Sequence, residues 1–293
     1  MKYIDLHVHS NSSDGTFTPT QVVDEAIRSG LAAFALTDHD TVQGLQEARE
    51  AVATHKEQGQ EIELISGVEI SSAYKGKDLH ILGLFVDDTN PNLINRLAAA
   101  VKERDERNLK MIHNLNEAGI PITFEALRED APDTVITRAH FAKYLTENGY
   151  TKTRNDAFTK YLNPDTPYYV PRQFIEPKDA IALILEADGI PVLAHPLLYH
   201  LPSEELATLV AQLKSYGLAG IEAVYTNNTG CDESDMRRLA RLNGLLLSGG
   251  SDFHGGNKPD IAIGKGRGNL KIPYEFVEAM KAYKKNRTET ALR

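Results

Sequence analysis

Tyr3-Ile4-Asp5-Leu6-His7-Val8-His9 is a short apolar run that closes on two histidines one residue apart, and the polar loop Asn11-Ser12-Ser13-Asp14-Gly15 follows it. Residues two apart on a strand share a face, so both imidazoles point the same way. The same design recurs along the chain. Strand candidates run over 3–8, 32–37, 62–68, 79–86, 191–194, 219–225 and 245–248. Several are β-branched or continuously apolar, as strands covered on both faces are. Asp38-His39-Asp40 ends the second strand and Glu69 the third. His80 lies in the fourth, His195 ends the fifth, and Asp252 and His254 follow the last.

Helices fall between these strands. Thr18-Pro19-Thr20-Gln21 reads as an N-cap, a proline at the first helical position and a capping-box glutamine, with Gly30 as the C′ stop. Segments 42–58, 176–188, 203–216, 232–243 and 274–284 look helical too. Such alternation implies parallel strands with right-handed crossovers, hence an α/β barrel or a doubly wound sheet. It breaks between about Pro91 and Pro171, where 93–118, 136–148 and 154–161 look helical and no strand stands out. The expected organisation is a barrel of residues 1–100 and 172–293 with a small helical cap inserted at 101–171. Pro164, Pro167 and Pro171 mark the return to the barrel.

Composition narrows the function classes. The 293 residues are 41% hydrophobic and 25% charged, as in a soluble globular enzyme. The net charge of -9 gives no bulk field for long duplex nucleic acid, so an anionic substrate needs local positive charge. A single cysteine, Cys231, excludes a disulfide framework and a cysteine-rich zinc site. No stretch approaches the ~20 apolar residues of a membrane span. The N-terminal residues lack the plan of a signal peptide, which makes the cytoplasm the expected location. The basic run 281–287 is expected to be a solvated helix face.

Active sites of parallel α/β folds lie at the C-terminal ends of the strands. Six of the ten histidines, with Asp14, Glu69 and Asp252, would meet there, although His80 stands near its strand's start and fits the rule less well. One such histidine is ordinarily just a satisfied polar residue; six at five strand ends, with carboxylates nearby, form a set. Imidazole and carboxylate without thiolate suit Mn, Fe or Zn in a hydrolytic site. The donors are too many for one tetrahedral ion and serve two or three. Asp38 and Asp40 read either as carboxylates that orient a ligand imidazole or as helix N-caps.

The motifs His7-Val8-His9, Thr37-Asp38-His39-Asp40, Gly67-Val68-Glu69, Leu79-His80-Ile81-Leu82-Gly83, Ala194-His195-Pro196 and Ser251-Asp252-Phe253-His254 resemble the PHP family, the polymerase and histidinol phosphatase superfamily. The resemblance implies a distorted (β/α)7 barrel with a di- or trinuclear metal site. It implies one ion on His7, His9, Glu69 and Asp252, and a second on Glu69, His80 and His195. A third would sit among Asp14, His39 and His254. Many family members have a histidine where this chain has Asp14, and the carboxylate favours a harder ion such as Mn or Mg. His7, His9, Glu69, His195, Asp252 and His254 are the residues expected to carry catalysis.

Thr137-Arg138-Ala139-His140-Phe141-Ala142 in the helical insert resembles the branch that holds nucleoside 3′,5′-bisphosphate phosphatases and a related 5′-to-3′ exoribonuclease. There an insert caps the barrel mouth and supplies basic residues. Arg138 and His140 match the motif, and Arg104, Arg107 and Asn108 lie on the corresponding arginine-bearing helix. Read as residues alone, Arg104 and Arg107 are equally surface charges paired with Glu103 and Asp105. The resemblance implies hydrolysis of a phosphate monoester, with water activated by the ions attacking phosphorus and Arg138 holding phosphate oxygens. His140 is a candidate proton donor. Tyr144, Tyr168, Tyr169 and Tyr225 are candidates to stack on a base. The expected substrate is a small nucleotide, such as 3′-phosphoadenosine 5′-phosphate, or the 5′ end of a short oligoribonucleotide. The alternatives are a histidinol-phosphate phosphatase, a polymerase-associated accessory module, and a regulatory binding protein with a degenerate site. The full ligand set stands against the last.

Overall fold

The computed structural model describes residues 2–128, 134–171 and 174–291. Seven strands lie side by side in chain order: β1 (Ile4–Val8), β2 (Ala33–Leu36), β3 (Glu63–Tyr74), β4 (Lys77–Leu84), β5 (Ile190–Leu193), β6 (Gly220–Tyr225) and β7 (Leu246–Gly250). The alternation of strands and helices led us to expect parallel strands throughout. β1 to β3 and β5 to β7 are parallel, but β4 runs against both its neighbours. The cause is Tyr74-Lys75-Gly76-Lys77. Lys75 and Gly76 both take positive φ, 50° and 77°, the backbone of a two-residue hairpin turn. β3 therefore runs on past Glu69 and returns directly as β4. The start of β4 then lies at the C-terminal ends of the parallel strands, so His80 reaches the site because its strand is reversed.

The sheet curls into a nearly closed barrel. The segment after β7 meets β1 through backbone bonds: Asp252 N–H donates to the His7 carbonyl at 2.9 Å and His9 N–H to the Phe253 carbonyl at 3.0 Å. Gly250 permits this approach, since a Cβ there would stand 2.2 Å from the His7 Cβ.

α1 (Pro19–Arg28) opens on the expected capping box between Thr18 and Gln21, and Gly30 follows it at φ 74°. α2 (Gly44–Glu57) and the first half of α3 (Pro91–Glu117) also pack on the barrel. α3 then leaves it as one unbroken helix. Leu93, Leu97 and Ala100 belong to a barrel cluster, and Met111 and Leu115 to a separate one. That second cluster holds residues of the insert alone, among them Ile122, Ile136, Phe141 and Leu145. Burying a side chain of this kind contributes about 1.5–3 kcal/mol, so the insert has a core of its own. The expected boundary at 100/101 falls inside α3, and the one at 171/172 borders residues outside those described.

The rest of the insert is α4 (Phe124–Leu127), α5 (Arg138–Glu147) and α6 (Arg154–Ala157), which passes into a π-helical turn at Phe158–Leu162. The residues leading into α5 are tied to the loop after β1. Val135 N–H donates to the Ser12 carbonyl at 3.0 Å and Thr137 Oγ1 to Asp14 Oδ2 at 3.1 Å. These bonds hold the insert over the barrel mouth.

α7 (Pro177–Glu186), α8 (Ser203–Ser215), α9 (Asp232–Asn243) and α10 (Glu275–Ala291) complete the outer layer. The basic run on α10 is not simply solvated: Lys281 pairs with Glu63, and Lys284 and Arg287 pair with Asp188. Among the described residues no helix is long and apolar enough to cross a membrane.

Gly250→Ala should lower stability by about 3 kcal/mol, because its methyl group has no room beside β1. Gly256→Ala, whose Cβ would meet nothing closer than Thr16 Oγ1 at 3.4 Å, should stay within about 0.5 kcal/mol. Chemical denaturation of both variants checks this, and equal effects would refute the closure argument.

Candidate metal centre

All nine expected ligands converge on one place. Glu69, 1% exposed, is its middle. Its Oε2 lies 3.2 Å from His7 Nε2, 3.1 Å from His9 Nε2 and 3.2 Å from His39 Nδ1. Its Oε1 lies 2.8 Å from His80 Nδ1 and 3.0 Å from His195 Nε2. Asp252 Oδ1 approaches His7 Nε2 at 3.7 Å and His9 Nε2 at 3.5 Å. On the far side of His9, Asp14 Oδ1 is 3.2 Å from His254 Nε2, and Asp14 Oδ2 is 3.9 Å from His39 Nε2. Three groups bring their donor atoms within 4.8 Å of one another: His7, His9 and Glu69; His39, Glu69 and His80; and His9, Asp14, His39 and His254.

The donors suit divalent cations on two counts. The first is unmet bonding. His9 Nδ1 and His195 Nδ1 are buried without a hydrogen-bond partner, a state that costs about 1–3 kcal/mol per group. The second is charge. Asp14, Glu69 and Glu222 are buried, and among the described residues each pairs only with imidazoles.

The titration directions agree with this. Burial works to raise the Glu69 carboxyl, but His39, His7 and His80 more than offset it and hold it well below the usual carboxylate range. Asp14 and Asp252 are likewise held low against burial, by His254 and His39 and by Lys258 and His254 respectively. Burial lowers His9 to about 3 and His39 to about 4. Ionised carboxylate and neutral imidazole are the forms that bind metal. Burial also pulls His7 down, yet Glu69, Glu222 and Asp252 prevail and raise it well above 6.5. The centre of the cluster thus draws positive charge.

The surrounding residues hold this geometry. Glu222, fully buried in β6, accepts from His7 Nδ1 at 3.1 Å and from the His195 backbone N–H at 2.7 Å. Asp5 accepts from the backbone N–H groups of Ser251 and Gly264, at 2.8 and 2.7 Å. Neither was picked out from the sequence. The available signal was a carboxylate inside an otherwise apolar strand, two residues before His7 in one case and between Ile221 and Ala223 in the other. His195, Asp252 and Asp40 sit at positive φ, 26°, 57° and 54°, backbone that costs about 1–3 kcal/mol where it is not glycine. Tyr225 Oη and Lys258 Nζ donate to Asp252 Oδ2 at 2.7 and 2.6 Å. Asp38 and Asp40 do not cap α2, whose N-cap is Gln43, and both act on ligand imidazoles through charge, Asp38 on His9 and Asp40 on His80. Asp38 accepts from Ser10 and Ser13 and shapes the loop after β1, while Asp40 accepts from Ser71 N–H and pairs with Arg104.

A cavity of about 730 Å³ opens above the cluster. Arg104, Arg107 and Arg138 line it. The surface alternative for the first two fails, since both are buried while Glu103 pairs with Arg96 and Asp105 with Arg128. Arg138 pairs with Asp78 and lies near the rings of Phe158 and Tyr169. Asn108 and His140 are not among the lining residues. Asn108 donates to the Ile136 carbonyl at 3.0 Å, and His140 Nδ1 accepts from Thr137 N–H as part of the cap of α5. Of the tyrosines considered for stacking, Tyr169 and Tyr225 line the cavity. Tyr144 donates to the Pro121 carbonyl and Tyr168 packs on Tyr161.

Residues 5–169 match the family model of the PHP domain. The chain is similar to a 5′-3′ exoribonuclease of Haemophilus influenzae, 37% identical over 253 residues that cover 86% of this chain and 90% of that one. It is similar to a 3′,5′-nucleoside bisphosphate phosphatase of Chromobacterium violaceum, 37% identical over 255 residues, 87% of this chain and 88% of that one. Among solved structures it resembles one from Bifidobacterium adolescentis assigned as a metal-dependent phosphoesterase, with a TM-score of 0.83, 30% identity and 95% of each chain covered. With the family match spanning over half its length and these relatives nearly all of it, the chain belongs to the PHP domain family.

Proposed function

We propose that this chain is a metal-dependent phosphoesterase acting on phosphate monoesters of small nucleotides, either a 3′,5′-nucleoside bisphosphate or the 5′ end of a short oligoribonucleotide. The convergence of His, Asp and Glu donors around Glu69, at the floor of an arginine-lined cavity, carries this proposal. The named relatives act in the same chemical class. His7, His9, Asp14, His39, Glu69, His80, His195, Asp252 and His254 would hold two or three divalent ions, with Mn the first candidate and Zn, Fe or Mg the others. Such ions, once bound, lower the pKa of water to about 7 and offset phosphate charge.

The chain's own residues do the rest. Glu222 fixes the ring of His7 and the backbone of His195, so two ligands on different strands keep one geometry. Arg138, oriented by Asp78, presents a planar fork that can engage two phosphate oxygens. Arg104 and Arg107 add charge on the same wall. Phe158 and Tyr169 offer ring faces for a base. A capped mouth suits a small or terminal substrate better than the middle of a duplex, and the cytoplasm is where such substrates would meet it.

Dialysis against a chelator should abolish phosphate release, and added Mn, Zn or Mg should restore it; release that persists without metal contradicts the proposal. Among 3′-phosphoadenosine 5′-phosphate, 5′-AMP, a 5′-phosphorylated RNA trimer and histidinol phosphate, the first or the trimer should be preferred, and Arg138→Ala should lose that preference. A preference for histidinol phosphate would keep the metal chemistry and replace the substrate. Glu222→Gln should weaken metal binding about 10- to 100-fold in a direct metal titration; unchanged affinity would remove Glu222 from the site.

A further inference from the structure

β4 and β5 pair antiparallel, with Ile81 opposite Leu193 and Leu82 opposite Val192. The same register puts His80 opposite Ala194, and Ala194 N–H donates to the His80 carbonyl at 3.2 Å. Residues paired in this way ordinarily exchange both backbone bonds. Here the return bond runs through a side chain. His80 N–H donates to Tyr199 Oη at 3.1 Å, and Tyr199 Oη donates to the Ala194 carbonyl at 2.7 Å. A hydroxyl has one proton to give and lone pairs to accept with, so it can serve both backbone groups at once. The proton goes to the nearer acceptor, since the His80 carbonyl stands 3.4 Å away and already takes the Ala194 N–H. A phenol oxygen is thus inserted in the ladder at the rung where β4 and β5 deliver His80 and His195.

Tyr199 is buried and held on all sides. It closes the 3-10 turn Pro196–Tyr199, directly after His195. Lys77 Nζ donates to its carbonyl at 3.0 Å, and its ring stands edge-on to that of His195, centroids 5.7 Å apart. The peptide group between Ala194 and His195 is fixed at both ends. Its carbonyl takes the Tyr199 hydroxyl, and its N–H donates to Glu222 Oε2 at 2.7 Å. That peptide leads into the left-handed backbone of His195. Beyond it His80 Nδ1 and His195 Nε2 lie 3.3 Å apart, and they face Glu69 Oε1 at 2.8 and 3.0 Å.

We propose that Tyr199 is a positioning residue of the metal centre, whose hydroxyl sets His80 and His195 relative to Glu69 and so the affinity for the ion these three share. This rests on the metal-dependent function proposed above. A direct backbone bond would span about 2.9 Å, whereas the relay through Oη spans two bonds in series. Without the hydroxyl the rung either closes or leaves a buried N–H and C=O unpaired. Both outcomes shift the two ligand segments, and ligand sets tolerate only about 0.5 Å of displacement. A tyrosine needed for packing alone has no reason to join the backbone of one ligand to the peptide group of another.

The experiment titrates chelator-treated wild type, Tyr199→Phe and Leu209→Ala with Mn by calorimetry. Leu209 packs in the same apolar cluster as Tyr199, so its truncation lowers stability without touching the rung. Tyr199→Phe keeps the ring and should bind one ion about 10- to 100-fold more weakly, the others unchanged. Leu209→Ala should bind like the wild type. Imidazole NMR of the metal-free proteins gives a second readout, in which Tyr199→Phe should move the His80 and His195 ring signals and leave His254 in place. 3-Fluorotyrosine at position 199 changes only the hydroxyl's acidity and gives both readouts, with smaller effects, should the phenylalanine variant not fold. Unchanged Mn affinity in Tyr199→Phe, or an equal loss in Leu209→Ala, overturns the proposal and leaves the metal centre standing. A wild type that binds no Mn overturns the metal centre, and the ring signals then decide the positioning alone. Shifts confined to His80 and His195 support it, and unchanged or uniformly shifted signals overturn it.

Discussion

Glu69 is buried among five imidazoles. Removing an ionised carboxylate from water costs several kcal/mol unless other charge compensates it, and Asp14, Asp252 and Glu222 are buried nearby under the same constraint. Imidazoles compensate only in part: His7 and His80 are held toward their charged forms, but burial keeps His9 and His39 uncharged at neutral pH. Bound cations would supply the rest. The same demand explains why His195, Asp252 and Asp40 accept left-handed backbone, each with its N–H bonded to a neighbouring strand or carboxylate. Strain of this kind is retained where it aims groups at one another.

The barrel meets the demand by topology. Parallel strands deliver His7, His9, His39, His195, Asp252 and His254 to one rim, and the reversed β4 delivers His80 and Asp78 to the same rim from its opening residues. Gly250 lets the last strand approach the first, which brings Asp252 beside His7. The insert then covers the rim. It is tied to Asp14 through Thr137 and to the β7 loop through Arg154, so the walls of the cavity come from both parts of the chain.

The strands, most helices and the meeting of the nine expected donors were legible because each rests on a short-range pattern: period 2 for His7 and His9, a capping box at Thr18, an apolar run ending in a polar residue. The reversal of β4 was not, because a two-residue turn such as Lys75-Gly76 is a weak signal beside the dominant strand–helix alternation. Glu222 and Asp5 were missed because a lone acid in a strand says nothing of its partner 215 residues away in the one case, or of the loops it clamps in the other. Arg104 and Arg107 were ambiguous for a similar reason. On a long charged helix the buried face is set by what packs against it, and Asp40 and Ser71 lie more than 30 residues earlier in the chain. Asn108 and His140 are placed apart from the other expected contacts, because Asn108 donates to the Ile136 carbonyl, His140 accepts within the cap of α5, and neither lines the cavity.

These nine side chains are proposed to hold more than one ion. The most direct measurement is anomalous X-ray diffraction from crystals grown with Mn, set beside crystals of Glu69→Gln grown the same way. Two or three anomalous peaks within bonding distance of the Glu69, His9 and Asp14 side chains are expected in the wild type, with at least one lost in the variant. A single peak, none, or peaks that ignore the loss of Glu69 would contradict it.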